Sequence, residues 1–308
     1  MIPNLATLGE LTLRGGGGEP VDWKRTLSSH GVATLVPNRV DTDAWTLDTT
    51  LSSESGSVHG IYLSEVRSGV ARAMVRDDVA LGDKGQLLAL CRHMLRLDDD
   101  LSRFYELAAA DPELAWVTTG GGRMLCSPTV FEDVVKTICT TNCSWSGTER
   151  MVGALVEQLG RGDASDRHAF PSPQAMAEAD DDFYRLQARV GYRGAYLREL
   201  ATRVAEQEID LETLNDPELP DAEAEARLLA LPGVGPYAAA HIMLTGLGRY
   251  GLLVLDSWTR PAFARLSGRK ASDQAIRRRF RKYGTYQGLA FWLYLTQSWV
   301  DDSASVSR

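Results

Sequence analysis

Leu231-Pro232-Gly233-Val234-Gly235-Pro236-Tyr237-Ala238-Ala239-Ala240 is the stretch from which the reading of this 308-residue chain proceeds. A helix ends near Leu231 and a tight two-glycine turn follows. A second helix begins at Pro236, where a missing N–H costs nothing because the first amides of a helix have no intrahelical acceptor. Gly233 and Gly235 can take positive φ and let another backbone approach closely. Exposed amides in such a turn, beside a helix N-terminus, suit a phosphate. Ala238, Ala239 and Ala240 let the two helices pack tightly. The same pattern also serves as an ordinary connection between two helices, and the turn alone does not separate the two.

Asp256 lies 21 residues after Gly235, at the end of the apolar run Tyr250–Leu255. It precedes Ser257-Trp258-Thr259-Arg260, a plausible helix start, so capping is one role open to it. A role for its charge is the other, and the two can coexist. From Arg249 to Lys282 ten basic residues stand against two acids, Asp256 and Asp273. That stretch carries +8, which leaves −16 elsewhere in a chain of net charge −8. One basic face on an acidic body can steer onto phosphates, although a solvated helix surface reads the same way.

Further outward, short runs at Gly31–Val36, Ala44–Leu47, Val58–Leu63 and Val70–Val75 alternate with turn-rich pieces and predict an antiparallel sheet. From about Lys84 the apolar spacing becomes helical, as in Leu87, Leu88, Cys91, Met94 and Leu95. Ser127-Pro128 reads as a helix start, with Phe131, Val134, Val135 and Ile138 on its inner face. Further helices fit Thr148–Leu159, Asp180–Arg189, Gly194–Gln207, Pro220–Ala230, Pro236–Leu247 and Gly288–Val300. The expected class is α+β, with an antiparallel β-rich domain over 1–82 and an α-helical region over 83–308. Within the latter the hairpin spans 220–247 and the Asp-bearing loop 248–258.

Hydrophobic residues make up 44% of the chain, ample for a buried core. No apolar run has the length of a membrane span and the N-terminus lacks a signal pattern, so a cytoplasmic, non-membrane protein is expected. The four cysteines, Cys91, Cys126, Cys139 and Cys143, form no CxxC pair. Neither a disulfide framework nor a metal or iron–sulfur site is expected.

The hairpin and Asp256 at this spacing resemble the helix-hairpin-helix and Gly/Pro…Asp loop of the base-excision DNA glycosylases. Phe131-Glu132-Asp133 through Ile138-Cys139-Thr140-Thr141-Asn142 is similar to the helix and DNA-inserting loop of the 8-oxoguanine glycosylases. Phe170-Pro171-Ser172-Pro173-Gln174-Ala175 and Gly191-Tyr192-Arg193-Gly194-Ala195-Tyr196 are similar to their later segments. The likeness runs from about Cys126 to Val300, with a weaker echo near Leu27–Gly31.

The resemblance implies that Asp256 is the catalytic carboxylate. It implies that Gly233, Val234 and Gly235 hold a phosphate through backbone amides. Asn142 and Arg193 would face the orphaned base of the opposite strand, and Tyr192 would fill the gap left by flipping. A core position for Tyr192 and an ion pair for Arg193 are the alternatives. Trp145, Tyr237, Trp258 and Trp292 could stack on the flipped base, or pack in the core. Lyase-competent relatives carry a lysine where this chain has Tyr237, and an amine is needed for a Schiff base to the sugar. The inducible 3-methyladenine glycosylases of bacteria have an aromatic residue there. The expectation is a monomeric, cofactor-free, monofunctional glycosylase acting on damaged purines in double-stranded DNA, of the 3-methyladenine type. An oxidised-purine (8-oxoguanine type) glycosylase is the alternative within enzymes. A non-catalytic DNA-binding module and a scaffold in a repair complex are the alternatives outside them.

Overall fold

A computed structural model describes residues 5–76 and 79–300. Five strands, β1 (Ala6–Thr12), β2 (Arg39–Asp41), β3 (Thr46–Ser52), β4 (Val58–Arg67) and β5 (Val70–Val75), form one antiparallel sheet in the order β1-β5-β4-β3-β2. The period-2 alternation of Leu47, Leu51, Ile61, Leu63, Ala71, Ala73 and Val75 turns one face inward. The short helix α1 (Trp23–Leu27) and α2 (Leu81–Met94) cover that face with Trp23, Leu27, Leu87, Cys91 and Met94. The sheet's core therefore draws on residues from both sides of position 82.

The rest of the described chain is helical: α3 (Ser102–Ala109), α4 (Val130–Thr140), α5 (Trp145–Leu159), α6 (Pro173–Glu178), α7 (Arg193–Ala205), α8 (Asp221–Leu229), α9 (Pro236–His241), α10 (Thr259–Ser267), α11 (Asp273–Phe280) and α12 (Gln287–Thr296). Two apolar clusters hold it. One joins α4, α5, α7, α8 and α9 through residues such as Val134, Ile138, Leu155, Leu197, Leu228 and Ala239. The other joins α3, α10, α11 and α12 through Phe104, Phe263, Phe280 and Phe291. Arg96, wholly within the protein, donates to the carbonyls of Thr245 and Gly246 and ties the end of α2 to the helical part. No helix of the described residues is long and apolar enough to cross a membrane.

Several local expectations are corrected. Gly31–Val36 is not a strand: Gly31–Thr34 forms a 3-10 turn. Val32 packs into the helical core and Ala33 into the sheet's core, so the apolar run is a wedge between two cores and has no strand to pair with. The run read at Ala44–Leu47 pairs only from Thr46, after Trp45 takes a φ of 53°. The helix read from Ser127-Pro128 starts at Val130, because the Thr129 hydroxyl caps Glu132 N while the Ser127 amide goes to the buried Asp133 carboxylate. The helix read at Asp180–Arg189 is present over residues 181–187, with a π turn at Phe183–Gln187. A second π turn, Ile242–Gly246, continues α9. The basic stretch is also less free than its charge suggests. Arg249, Arg260, Arg279 and Lys282 pair with Asp221, Asp273, Glu113 and Asp111, and Arg279 lies over the Tyr294 ring at 4.5 Å.

Candidate active site

The two helical cores meet at Tyr237, which packs against both, and a cleft of about 1090 Å³ opens beside it. Asp256, Gly233, Val234, Gly235, Asn142, Tyr192, Arg193, Tyr237, Trp145, Trp258 and Trp292 all line this cleft. Residues from five separated segments of the sequence thus converge on one cavity.

The hairpin forms one wall. Gly233 has a φ of 77°, which favours glycine, and a Cβ there would press on the Tyr196 ring at 3.0 Å. Gly235 differs from expectation: its φ of −102° and ψ of −177° suit any residue, and a Cβ would enter open space. No described residue accepts a hydrogen bond from the N–H of Gly233 or Gly235, whereas Val234 N bonds to Leu231 O. Two amides at the start of α9 are therefore available to an anion from outside.

Asp256 follows the apolar run that seats Leu253 and Val254 in the core. Its Oδ1 accepts from Trp258 N at 2.9 Å and Thr259 N at 2.6 Å, and its own N–H donates to Thr259 Oγ1 at 2.8 Å. The carboxylate thus caps the start of α10 through one oxygen. Oδ2 has no partner among the described residues. Capping and a free charge coexist in one side chain, the combination that the sequence left open.

Opposite, α4 ends at Thr140 and the chain turns through Asn142, whose φ of 47° is left-handed. Asn is one of the few side chains that tolerate this region. The Asn142 amide donates to the Tyr192 hydroxyl at 3.2 Å, and that contact lowers the hydroxyl's pKa. Tyr192 is 56% exposed, so it is no core aromatic. Arg193 is anchored to the protein from within. It is only 6% exposed, and its guanidinium donates to Thr141 O, to Thr141 Oγ1 at 3.3 Å and to Val190 O at 3.2 Å. Its face covers the Tyr192 ring at 4.7 Å. Among the described residues Arg193 forms no ion pair; it fastens the 141–142 turn to α7.

The aromatic wall is continuous. Trp258 and Trp292 are 5.6 Å apart between ring centroids, and Trp299 joins both. Trp292 Nε1 donates to Ser29 O, so this ring is fixed edge-on to the protein. Tyr237 OH meets Thr140 Oγ1 at 3.3 Å, and burial raises its pKa. Trp145 is half-exposed over Gly31, where a Cβ would lie 3.1 Å from the indole.

Gly31, Trp299 and His241 line the cleft but were not read as site residues from the sequence. The echo at Leu27–Gly31 pointed toward the first. His241 follows Tyr237 by four residues and so shares its helix face, a signal that could have found it.

No family model matches the chain. It is 27% identical over 266 residues to a probable N-glycosylase/DNA lyase of Methanothermobacter thermautotrophicus, covering 77% of this chain and 84% of that protein. Its fold matches the 3-methyladenine DNA glycosylase of Archaeoglobus fulgidus with a TM-score of 0.71 at 19% identity, covering 93% of this chain and 97% of the other. It also matches the 8-oxoguanine glycosylase/lyase of Clostridium acetobutylicum in its apo form, with a TM-score of 0.71 at 19% identity over 96% of this chain and 99% of the other.

Proposed function

The chain belongs to the helix-hairpin-helix superfamily of DNA glycosylases, and from that premise we propose that it is a monofunctional enzyme hydrolysing the N-glycosidic bond of a damaged purine. The observation that carries this reading is Asp256, with one oxygen fixed by two backbone amides and the other unpartnered on an aromatic-walled cleft. The target bond is unreachable in a stacked duplex, so the nucleotide must leave the stack. The unpartnered amides of Gly233 and Gly235 can grip a phosphate beside it. Trp258, Trp292 and Tyr237 offer flat surfaces to the extruded base. As the base departs with the bonding electron pair, positive charge grows on the sugar. The preorganised carboxylate opposes that charge and can orient the water that adds to the anomeric carbon.

Two features favour hydrolysis without strand cleavage. Tyr237 stands where the amine of a lyase would be, and no lysine is among the described residues that line the cleft. Borohydride should therefore trap no covalent protein–DNA adduct during base release, and strand breaks should appear only after alkali. Trapping of an adduct would refute the monofunctional assignment. The aromatic Tyr237 favours an alkylated purine. The Asn142–Tyr192 contact beside the hairpin is the observation that keeps an oxidised purine as the second reading. Base release from duplexes carrying each lesion class, with and without alkali, tests the assignment and separates the two readings.

The two hairpin glycines give an independent check. Gly235→Ala should leave folding stability within about 0.5 kcal/mol, because nothing in the fold opposes a Cβ there. It should nonetheless weaken duplex binding, since the added methyl stands where a phosphate approaches. Gly233→Ala should destabilise the protein by about 1 kcal/mol or more through its positive φ. Thermal unfolding and duplex titration of both variants decide it. Unchanged binding by Gly235→Ala would remove the hairpin from the DNA interface.

A further inference from the structure

His241 has no part in the chemistry proposed above, yet its ring lines the cleft. It meets Tyr237 at 5.9 Å, Trp292 edge-on at 6.1 Å and the buried His30 edge-on at 6.0 Å. Its hydrogen bonds accommodate one tautomer in full. The Thr245 hydroxyl donates its single hydrogen to His241 O at 2.9 Å. The contact between the same hydroxyl oxygen and His241 Nδ1, at 3.3 Å, is then filled by a ring hydrogen when Nδ1 carries the proton. In that tautomer Nε2 holds a lone pair. Nε2 has no partner among the described residues and is not one of the sealed, unpartnered polar atoms, so it opens on the cleft. The ring stays neutral: burial pulls its pKa down to about 4, against a raising influence from Asp256. His30 behind it, held at about 3 mainly by burial, is neutral too and adds no charge.

From this geometry we infer that His241 Nε2 is a specificity-determining hydrogen-bond acceptor for the extruded base, selecting lesions that bring an N–H to the cleft floor. The inference rests on the glycosylase reading of the same cleft. A neutral acceptor on an otherwise aromatic wall penalises a base edge that offers only lone pairs, because Nε2 would then be buried unpaired. It accepts amide-like or amino N–H groups. Stacking on Trp258, Trp292 and Tyr237 supplies affinity without discrimination, and Nε2 supplies the choice.

The test is single-turnover base release from duplexes containing hypoxanthine, 7-methylguanine or 8-oxoguanine, each with at least one N–H, and 1,N6-ethenoadenine, with none. The readout is the ratio of the fastest N–H-bearing lesion to the ethenoadenine duplex. His241→Leu should lower that ratio by on the order of 10- to 100-fold. His241→Gln, which returns an acceptor oxygen at similar reach, should restore most of it. Wild-type release that depends on Asp256, with a ratio that His241→Leu leaves unmoved, would overturn the inference alone. So would equal loss on every lesion in both variants. Absence of any base release by the wild type, or release that survives Asp256→Asn, would overturn the glycosylase reading and this inference with it.

Discussion

Asp256→Asn is expected to lower single-turnover base release by on the order of a hundredfold or more, with no measurable change in thermal stability. The substitution is chosen for its geometry. Asn keeps an oxygen where Oδ1 accepts from Trp258 N and Thr259 N, so the start of α10 remains capped. Only the charge on the cleft side is lost. Asp256→Ala removes both, and should add a stability loss of about 1 kcal/mol to the same loss of rate. If Asp256→Asn releases base at near wild-type rate, the carboxylate is a helix cap and nothing more. If it loses rate only because it unfolds, the separation between the two oxygens is wrong.

The second large effect divides two neighbouring residues. Arg193→Ala should destabilise the fold by about 2 kcal/mol, because it leaves the part-buried Thr141 carbonyl without a donor, while Val190 O keeps its bond from the backbone N–H of residue 193. Excision should then fall by a similar factor opposite all four bases, since the turn bearing Asn142 loses its anchor. Tyr192→Ala should behave in the opposite way. Its ring is largely exposed, so stability should change by less than about 1 kcal/mol. Its loss should slow excision from a stable pair more than from a mismatch, because opening a stable pair costs a few kcal/mol more and the ring no longer fills the gap. Denaturant unfolding and single-turnover excision opposite each base decide both. A stable Arg193→Ala variant with altered opposite-base preference would return Arg193 to a base-reading role. A Tyr192→Ala variant destabilised by several kcal/mol would make that ring structural.

What could be read in advance followed from how local the determining physics is. The hairpin was legible because Pro at a helix start and glycine in a turn carry their conformational meaning within a few residues. Strand β5 was legible to the residue, since Val70–Val75 alternates cleanly against one buried face. The wedge at Gly31–Thr34 was not, because its apolar residues are shared between two cores that no local pattern reveals. The start of α4 was misplaced by a residue pair because both Ser127 and Thr129 are good caps. The choice between them was made by Asp133, buried six residues away from Ser127. The anchoring of Arg193 was not legible for a related reason: its guanidinium is held by the carbonyl of Thr141, which lies 52 residues away in the sequence. The sequence distance between Asn142, Tyr192, Tyr237 and Asp256 hid their convergence from periodicity. The family resemblance, not spacing, brought them to one list.

The most direct measurement is the chemical identity of the product. The wild-type protein is incubated with a duplex carrying one damaged purine, and both the low-mass fraction and the strand are analysed by mass spectrometry. The account predicts the intact damaged base in solution and an unbroken strand carrying an abasic sugar. A released nucleoside or nucleotide, or an abasic strand already broken before alkali, would contradict it.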